Sequence, residues 1–205
     1  MTLITGFMGS PRKGGNTDIL LDALLVEAAA HGAVTEKIAI AGRDITPCIE
    51  CGGCDETGIC VLSDGMTPLY EKIEASDVVV LASPIFFYNI TASTQALVER
   101  SQACWTGKYR LKRGPLGGKM RKGVFLSLGA THGKLLFDGV LRVVRYFFDA
   151  IDATFECALL YRGVEKRGAI LGHPTAIKEA RTLGAFLAEG KDLKDLSGME
   201  GLVRP

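Results

Sequence analysis

The sequence predicts a doubly wound α/β domain on a five-stranded parallel sheet, and three observations carry that reading. Short apolar runs alternate with amphipathic stretches, the pattern of a parallel sheet covered by helices on both faces. The run Val78-Val79-Val80-Leu81 is apolar without alternation, as a central strand buried on both faces requires. No internal repeat or low-complexity linker interrupts the order.

The elements follow in turn. The first strand falls at residues 2–7. Asn16 is placed to cap a helix reaching about residue 30, in which Ile19, Leu20, Ala23, Leu24 and Ala28 form one apolar stripe. Residues 34–40 alternate as an edge strand does, and residues 42–65 show no period. Pro68 suits the first turn of a short helix ending near Ala75. A third strand at 77–82 leads to a helix over 92–103 and then a basic stretch over 107–123. The fourth strand (123–128), a helix (135–151), the fifth strand (154–160) and a closing helix (175–189) complete one domain over residues 1–190. Residues 191–205 read as a polar, fraying tail.

A chain of 205 residues buries roughly 70% of its unfolded surface, so its core needs no disulfide staples. The 24 basic and 23 acidic side chains leave a net charge of +1, which argues against nucleic acid or a membrane as partner. No apolar run approaches the ~20 residues that cross a bilayer. The start, Met1-Thr2-Leu3-Ile4-Thr5, lacks the basic region of an export signal. The expected location is cytoplasmic, where the six cysteines stay reduced rather than forming structural disulfides.

In a doubly wound sheet, ligands sit beyond the carboxyl ends of the strands, where the strand order reverses. The first loop there is Gly9-Ser10-Pro11-Arg12-Lys13-Gly14-Gly15-Asn16-Thr17, running into a helix. A helix start presents unpaired N–H groups and about half a positive charge, which attract phosphate. Ser10, Asn16 and Thr17 add donors, Arg12 adds a fork of them, and Gly14-Gly15 permits close approach. Gly15 stands where a P-loop needs lysine, and no Gly-x-Gly-x-x-Gly is present. An ordinary polar loop is the plain alternative.

The second loop, Ser83-Pro84-Ile85-Phe86-Phe87-Tyr88-Asn89, sets three aromatics at a strand end. They can wall a flat ring, with Asn89 at its polar edge, although such clusters alone more often pack a core. The third, Ser127-Leu128-Gly129-Ala130-Thr131-His132-Gly133, has small residues whose N–H groups can face a ligand. His132 either meets a ring or hydride donor there or stays solvated.

Together the first two loops resemble those of the NADPH-dependent FMN reductase and flavodoxin-like reductase superfamily, over about residues 2–189. The resemblance implies a flavodoxin-like fold binding FMN. It assigns the phosphate to Ser10, Arg12, Asn16 and Thr17, and the isoalloxazine to Pro84, Ile85, Phe86, Phe87, Tyr88, Asn89 and Gly129. Gln95 departs from the lysine that relatives often carry on the next helix, and no catalytic role is assigned to it.

The segment Cys48-x2-Cys51-x2-Cys54-x5-Cys60 puts four thiols within thirteen residues, and Gly52, Gly53 and Gly58 permit sharp wrapping. Consecutive x2 spacings are those with which ferredoxin cysteines bind one cluster. Structural zinc more commonly uses two separated Cys-x2-Cys pairs, and thiols without metal are the remaining alternative. The spacing resembles that of the iron–sulfur flavoprotein branch of the superfamily, which implies a [4Fe–4S] cluster. This cysteine-rich loop follows the second strand, so it is expected near the flavin end. Cys104 and Cys157 read as bystanders, Cys157 packing as a small apolar residue. The basic residues Lys108, Arg110, Lys112, Arg113, Lys119, Arg121 and Lys122 read as a solvated or subunit-contact segment. Their alternative use is to receive an acidic ferredoxin or the phosphate of NADPH.

The expected function is that of an FMN and [4Fe–4S] oxidoreductase. It would pass electrons between a one-electron carrier such as ferredoxin, or NAD(P)H, and a small acceptor, as a homodimer or homotetramer. A cluster-free NAD(P)H-dependent FMN or quinone reductase is one alternative, and a flavin-binding carrier or sensor without turnover is another. No Ser/His/Asp or paired-carboxylate constellation points to catalysis by side chains.

Overall fold

The computed structural model describes residues 1–204. Its elements are β1 (Leu3–Met8), α1 (Asn16–Ala30), β2 (Val34–Ala39), α2 (Thr67–Ala75), β3 (Val78–Ala82), α3 (Ala92–Arg100) and α4 (Gln102–Trp105). These are followed by β4 (Arg121–Leu128), α5 (Asp138–Ala150), β5 (Ala153–Tyr161), α6 (Ala176–Ala188) and β6 (Leu202–Val203). The sheet order is β2-β1-β3-β4-β5-β6. Its first five strands are parallel, while β6 runs antiparallel to β5. The chain winds out to β2 and back to β3, so the order reverses beside β1, where a doubly wound sheet opens its ligand crevice.

The period-2 alternation of side chains along each strand divides the interior into two cores. On one face Ile4, Val78, Val80, Val124, Leu126 and Leu159 pack against α1 and α6. On the other, Phe7, Val79, Leu81, Phe125 and Leu160 pack against α2, α3 and α5. The first pair of helices crosses so closely that a Cβ on Gly184 would stand 2.2 Å from the Leu24 carbonyl oxygen. Cys157 lies within the first core at 1% exposure, the apolar packing expected of it. Burial pushes its thiol up to about 12.

Three expectations are corrected. The sheet has six strands, and the polar tail is docked. Leu193 and Leu196 are buried. The Glu179 carboxylate accepts the N–H groups of Glu200 (2.6 Å) and Gly201 (3.0 Å) and the Tyr161 hydroxyl (2.8 Å). Those bonds deliver Leu202 and Val203 to the edge of β5. The helix expected over 92–103 breaks after Arg100, giving α3, α4 and a π turn at Thr106–Arg110. No helix among the described residues is long and apolar enough to cross a membrane.

Candidate functional site

Backbone bonds between neighbouring strand ends set the crevice. Gly9 N–H donates to the Ala82 carbonyl (2.7 Å), Ile85 N–H to Leu128 (2.9 Å) and Gly129 N–H to Tyr161 (3.0 Å). The Thr91 hydroxyl donates to the Gly9 carbonyl (2.7 Å), tying the start of α3 to the first loop. Gly9 has no room for a side chain, since a Cβ there would lie 1.9 Å from Thr94 Oγ1.

These contacts open a cleft of about 150 Å³ between the three expected loops. Ser10, Arg12, Asn16 and Thr17 line one part, and Pro84, Ile85, Phe86 and Gly129 line another. The first-turn N–H groups of α1 have no carbonyl partner within the helix. The arrangement fits a phosphate at the helix start and a flat apolar ring against Ile85 and Phe86.

Four residues of the expected loops stand elsewhere. Phe87 and Tyr88 occupy the central positions of a tight turn with φ of 48° and 61°. The turn is closed by Phe86 N–H to the Asn89 carbonyl (2.8 Å) and the reverse bond (2.9 Å). It splits the aromatic wall, because Phe86 faces the cleft while Phe87 is wholly exposed and Tyr88 largely so. Asn89 Oδ1 accepts Ile90 N–H (2.9 Å), so it serves the turn. His132 lies against Gly163 and does not line the cleft.

Asn16 is not the cap of α1; Gly15 holds that position. The Asn16 amide instead donates to the Lys166 carbonyl (2.8 Å) and accepts Ile170 N–H (3.3 Å). The loop after β5 thus closes the cleft from a side the sequence reading did not consider. Val164 and Glu165 line the cleft, and Arg167 donates to the Lys13 (2.6 Å) and Gly14 (3.3 Å) carbonyls. The available signal was position, since this loop leaves the same sheet end between Gly163 and Gly168, both at positive φ. Asp18, also missed, accepts Gly14 N–H (2.7 Å) and pairs with Lys37 (2.7 Å). Burial works against its charge, but Lys37 and the Gly14 N–H outweigh burial and hold the carboxyl below its usual range.

The cysteine loop joins β2 to α2. Cys48, Cys51, Cys54 and Cys60 all line one cavity of about 590 Å³, with Arg100 and Arg110 in the same wall. Cys54 Sγ stands 3.7 Å from Thr106 Oγ1. Among the described residues, no three His, Cys, Asp or Glu side chains gather as they would around a single metal ion. The donor set, four thiols on one cavity wide enough to admit more than an ion, fits a cluster better than a lone zinc.

The loop leaves the carboxyl end of β2, level with Met8 at the end of β1, which is the sheet end that bears the cleft. The cavity it lines is walled as well by Glu99, Arg100, Gln102 and Ala103, from the end of α3 and from α4.

The basic stretch is also reassigned, since most of it is spent within the chain. Lys108 pairs with Asp149 (2.9 Å) and Asp152 (3.4 Å), Arg110 with Asp55 (2.5 Å) and Lys119 with Asp77 (2.6 Å). Arg121 is buried, with its guanidinium donating to the Ile151, Leu116 and Glu74 carbonyls. Cys104 shares no wall with the other thiols except Cys60, across a second cavity. Burial, reinforced by Asp152, pushes its thiol up to about 12.

Fold and cleft together define a flavodoxin-like α/β protein. Residues 2–151 match the family described as NADPH-dependent FMN reductase, and the chain belongs to that family. The curated relatives it matches include iron-sulfur flavoproteins. It is 35% identical over 128 residues to an iron-sulfur flavoprotein of Methanosarcina thermophila, covering 62% of this chain and 63% of that one. It is 42% identical over 95 residues to one from Archaeoglobus fulgidus, covering 46% and 43%. The match thus spans less than two thirds of either relative's length. An NAD(P)H:quinone oxidoreductase from Methanothermobacter marburgensis shares the fold, with a TM-score of 0.67 at 14% identity over 91% of this chain and 96% of that one.

Proposed function

We propose that this chain is an FMN-dependent oxidoreductase carrying one [4Fe–4S] cluster on Cys48, Cys51, Cys54 and Cys60. It passes electrons between a one-electron carrier such as a ferredoxin, or NAD(P)H, and a small acceptor. The observation that carries this reading is the pairing of two sites on one helix: a phosphate-and-ring cleft at the start of α3, four thiols on one cavity at its end.

The flavin supplies two-electron chemistry that can also proceed singly, and the cluster supplies single electrons. The chain's own part is positioning. Ser10, Thr17 and the α1 N–H groups hold the phosphate, Arg12 adds charge at the mouth, and Ile85 and Phe86 exclude water from the ring. Asn16 contributes by tying the 164–170 loop over the cleft. The protein works in the cytoplasm as a homodimer or homotetramer, with the exposed Phe87 and Tyr88 in the contact. A single light-scattering mass near 21.9 kDa would refute the oligomer.

The absence of any close thiol trio among the described residues favours a second reading, a cluster-free NAD(P)H-dependent FMN or quinone reductase. Serine replacement separates the two. Each of Cys48→Ser, Cys51→Ser, Cys54→Ser and Cys60→Ser should remove iron and sulfide together while FMN stays. Cys104→Ser and Cys157→Ser should leave iron unchanged. Wild-type protein purified anaerobically without iron would hand the assignment to the plain reductase.

A further inference from the structure

An arginine at the end of a short helix ordinarily reaches solvent, yet Arg100 is 1% exposed. Burying a guanidinium costs several kcal/mol unless its charge and donors are met. Nη1 donates to the Thr46 carbonyl (2.9 Å) and to Asp64 Oδ2 (2.6 Å), and Nη2 donates to the Leu62 carbonyl (3.2 Å). Thr46 stands two residues before Cys48, and Leu62 two residues after Cys60. One planar fork therefore closes the segment that bears all four cysteines. Asp64 reinforces the closure by accepting Thr46 N–H (3.0 Å).

Closure alone does not account for the whole group. Nε of Arg100 is buried with no partner among the described residues, and the side chain lines the cavity of the four thiols. Burial opposes the charge, but the Asp64 bond, helped by Tyr70 and Cys60, outweighs it and holds the guanidinium protonated beyond its ordinary range. A permanent cation with a spare donor thus sits in the wall of a thiol-lined cavity. Cluster potential depends on net local charge and on hydrogen bonds to sulfur.

We propose that Arg100 is a positioning residue of the cysteine site, closing residues 46–62 into a ring and holding one positive charge beside the ligating thiolates. This rests on the iron–sulfur reading above. A neutral residue in its place would leave the Asp64 carboxylate unbalanced near the thiolates, so the cluster would be harder to reduce than beside the intact Arg100–Asp64 pair. Lysine keeps the charge but cannot span three acceptors with a planar fork.

The test compares anaerobic wild type, Arg100→Lys and Arg100→Met by dithionite titration followed by electron paramagnetic resonance. Iron release to a chelator and maleimide labelling of the iron-free proteins are measured alongside. Both variants should release iron and label their loop cysteines several-fold faster than wild type, with FMN content and far-ultraviolet circular dichroism unchanged. Only Arg100→Met should shift the potential in the negative direction. Wild-type potential in a folded, iron-loaded Arg100→Met overturns the charge effect. Should Arg100→Met not fold, Arg100→Lys decides the ring, and unchanged labelling and iron release overturn it. An iron-free wild type overturns the cluster reading and the charge effect with it, while labelling still decides the ring.

Discussion

The candidate cleft at the strand ends and the cysteine loop meet opposite ends of α3 and are built by different means. The cleft is set by backbone bonds between adjacent strand ends, such as Gly9 to Ala82 and Ile85 to Leu128, so its geometry is inherited from the sheet. The cysteine loop has few backbone bonds of its own, among them Asp55 N–H to Gly52 and Gly58 N–H to Cys54. Charged side chains from distant elements hold it instead, Arg100 through Asp64 and Arg110 through Asp55. A site made by sheet register resists side-chain changes that leave the strands paired. A site made by ion pairs fails when one partner is neutralised.

The largest effect that separates the two should come from Asp64→Asn. The Asp64 side chain is 9% exposed, and the change leaves the buried Arg100 charge unpaired. Breaking such a pair costs about 3 kcal/mol, and the cysteine loop should open while FMN binding persists. Denaturant melts and FMN fluorescence measure the two together, and loss of FMN in step with the loop would break the comparison. Its pH dependence has a definite sign. Burial raises the Asp64 pKa, but Arg100 and the Met66 and Thr46 N–H groups outweigh burial and lower it. The carboxylate's contribution is therefore complete above about pH 4, near the unfolded value, and is lost as pH falls through the lower folded value. Wild type and Asp64→Asn should differ by a constant amount above that pH and converge in acid.

Gly9→Ala should do the reverse. Its Cβ would meet Thr94 Oγ1, and such overpacking costs about 2 kcal/mol. FMN should bind more weakly, and cysteine labelling should stay as in wild type. Equal damage to both sites would mean that α3 transmits the shift. Arg12→Ala should have the smallest effect, because Arg12 is exposed. An exposed charge contact is worth up to ~1 kcal/mol, so FMN affinity should fall by about fivefold at low salt. The gap should narrow as salt screens it. A salt-independent loss would instead indicate a packing role for the arginine.

What was legible in the sequence follows the same division. The Val78–Ala82 run, the helix stripes and the loop that leads into α1 were readable because local period and backbone chemistry determine them. Arg100 was not, because its partners Asp64, Thr46 and Leu62 lie 36 to 54 residues away and an arginine in a helix normally suggests solvent. The tail was misread for a similar reason. Leu193, Leu196 and Leu202 follow no strand or helix period, and the residue that anchors them, Glu179, belongs to α6. Phe87 and Tyr88 looked like wall residues because nothing in their identity announces a left-handed turn, a conformation that is costly for aromatics.

The two outer margins of the sheet are guarded unequally. β2 presents Glu36 and Lys37, engaged with Lys72, Asp18 and Asp22, and such charge discourages another strand from adding. Among the described residues, β5's outer edge is met by β6 at Ala158 and Leu159 and by the Gly201 carbonyl at Leu160. The tail that supplies them is held by the Glu179 carboxylate and by Arg204, which donates to the Leu193, Lys194 and Leu196 carbonyls. Losing the tail would leave those N–H and C=O groups unpaired beside an apolar strand, open to the same strand of another copy. For this chain, then, the tail's contribution is colloidal: it keeps the molecule from becoming a template for its own aggregation.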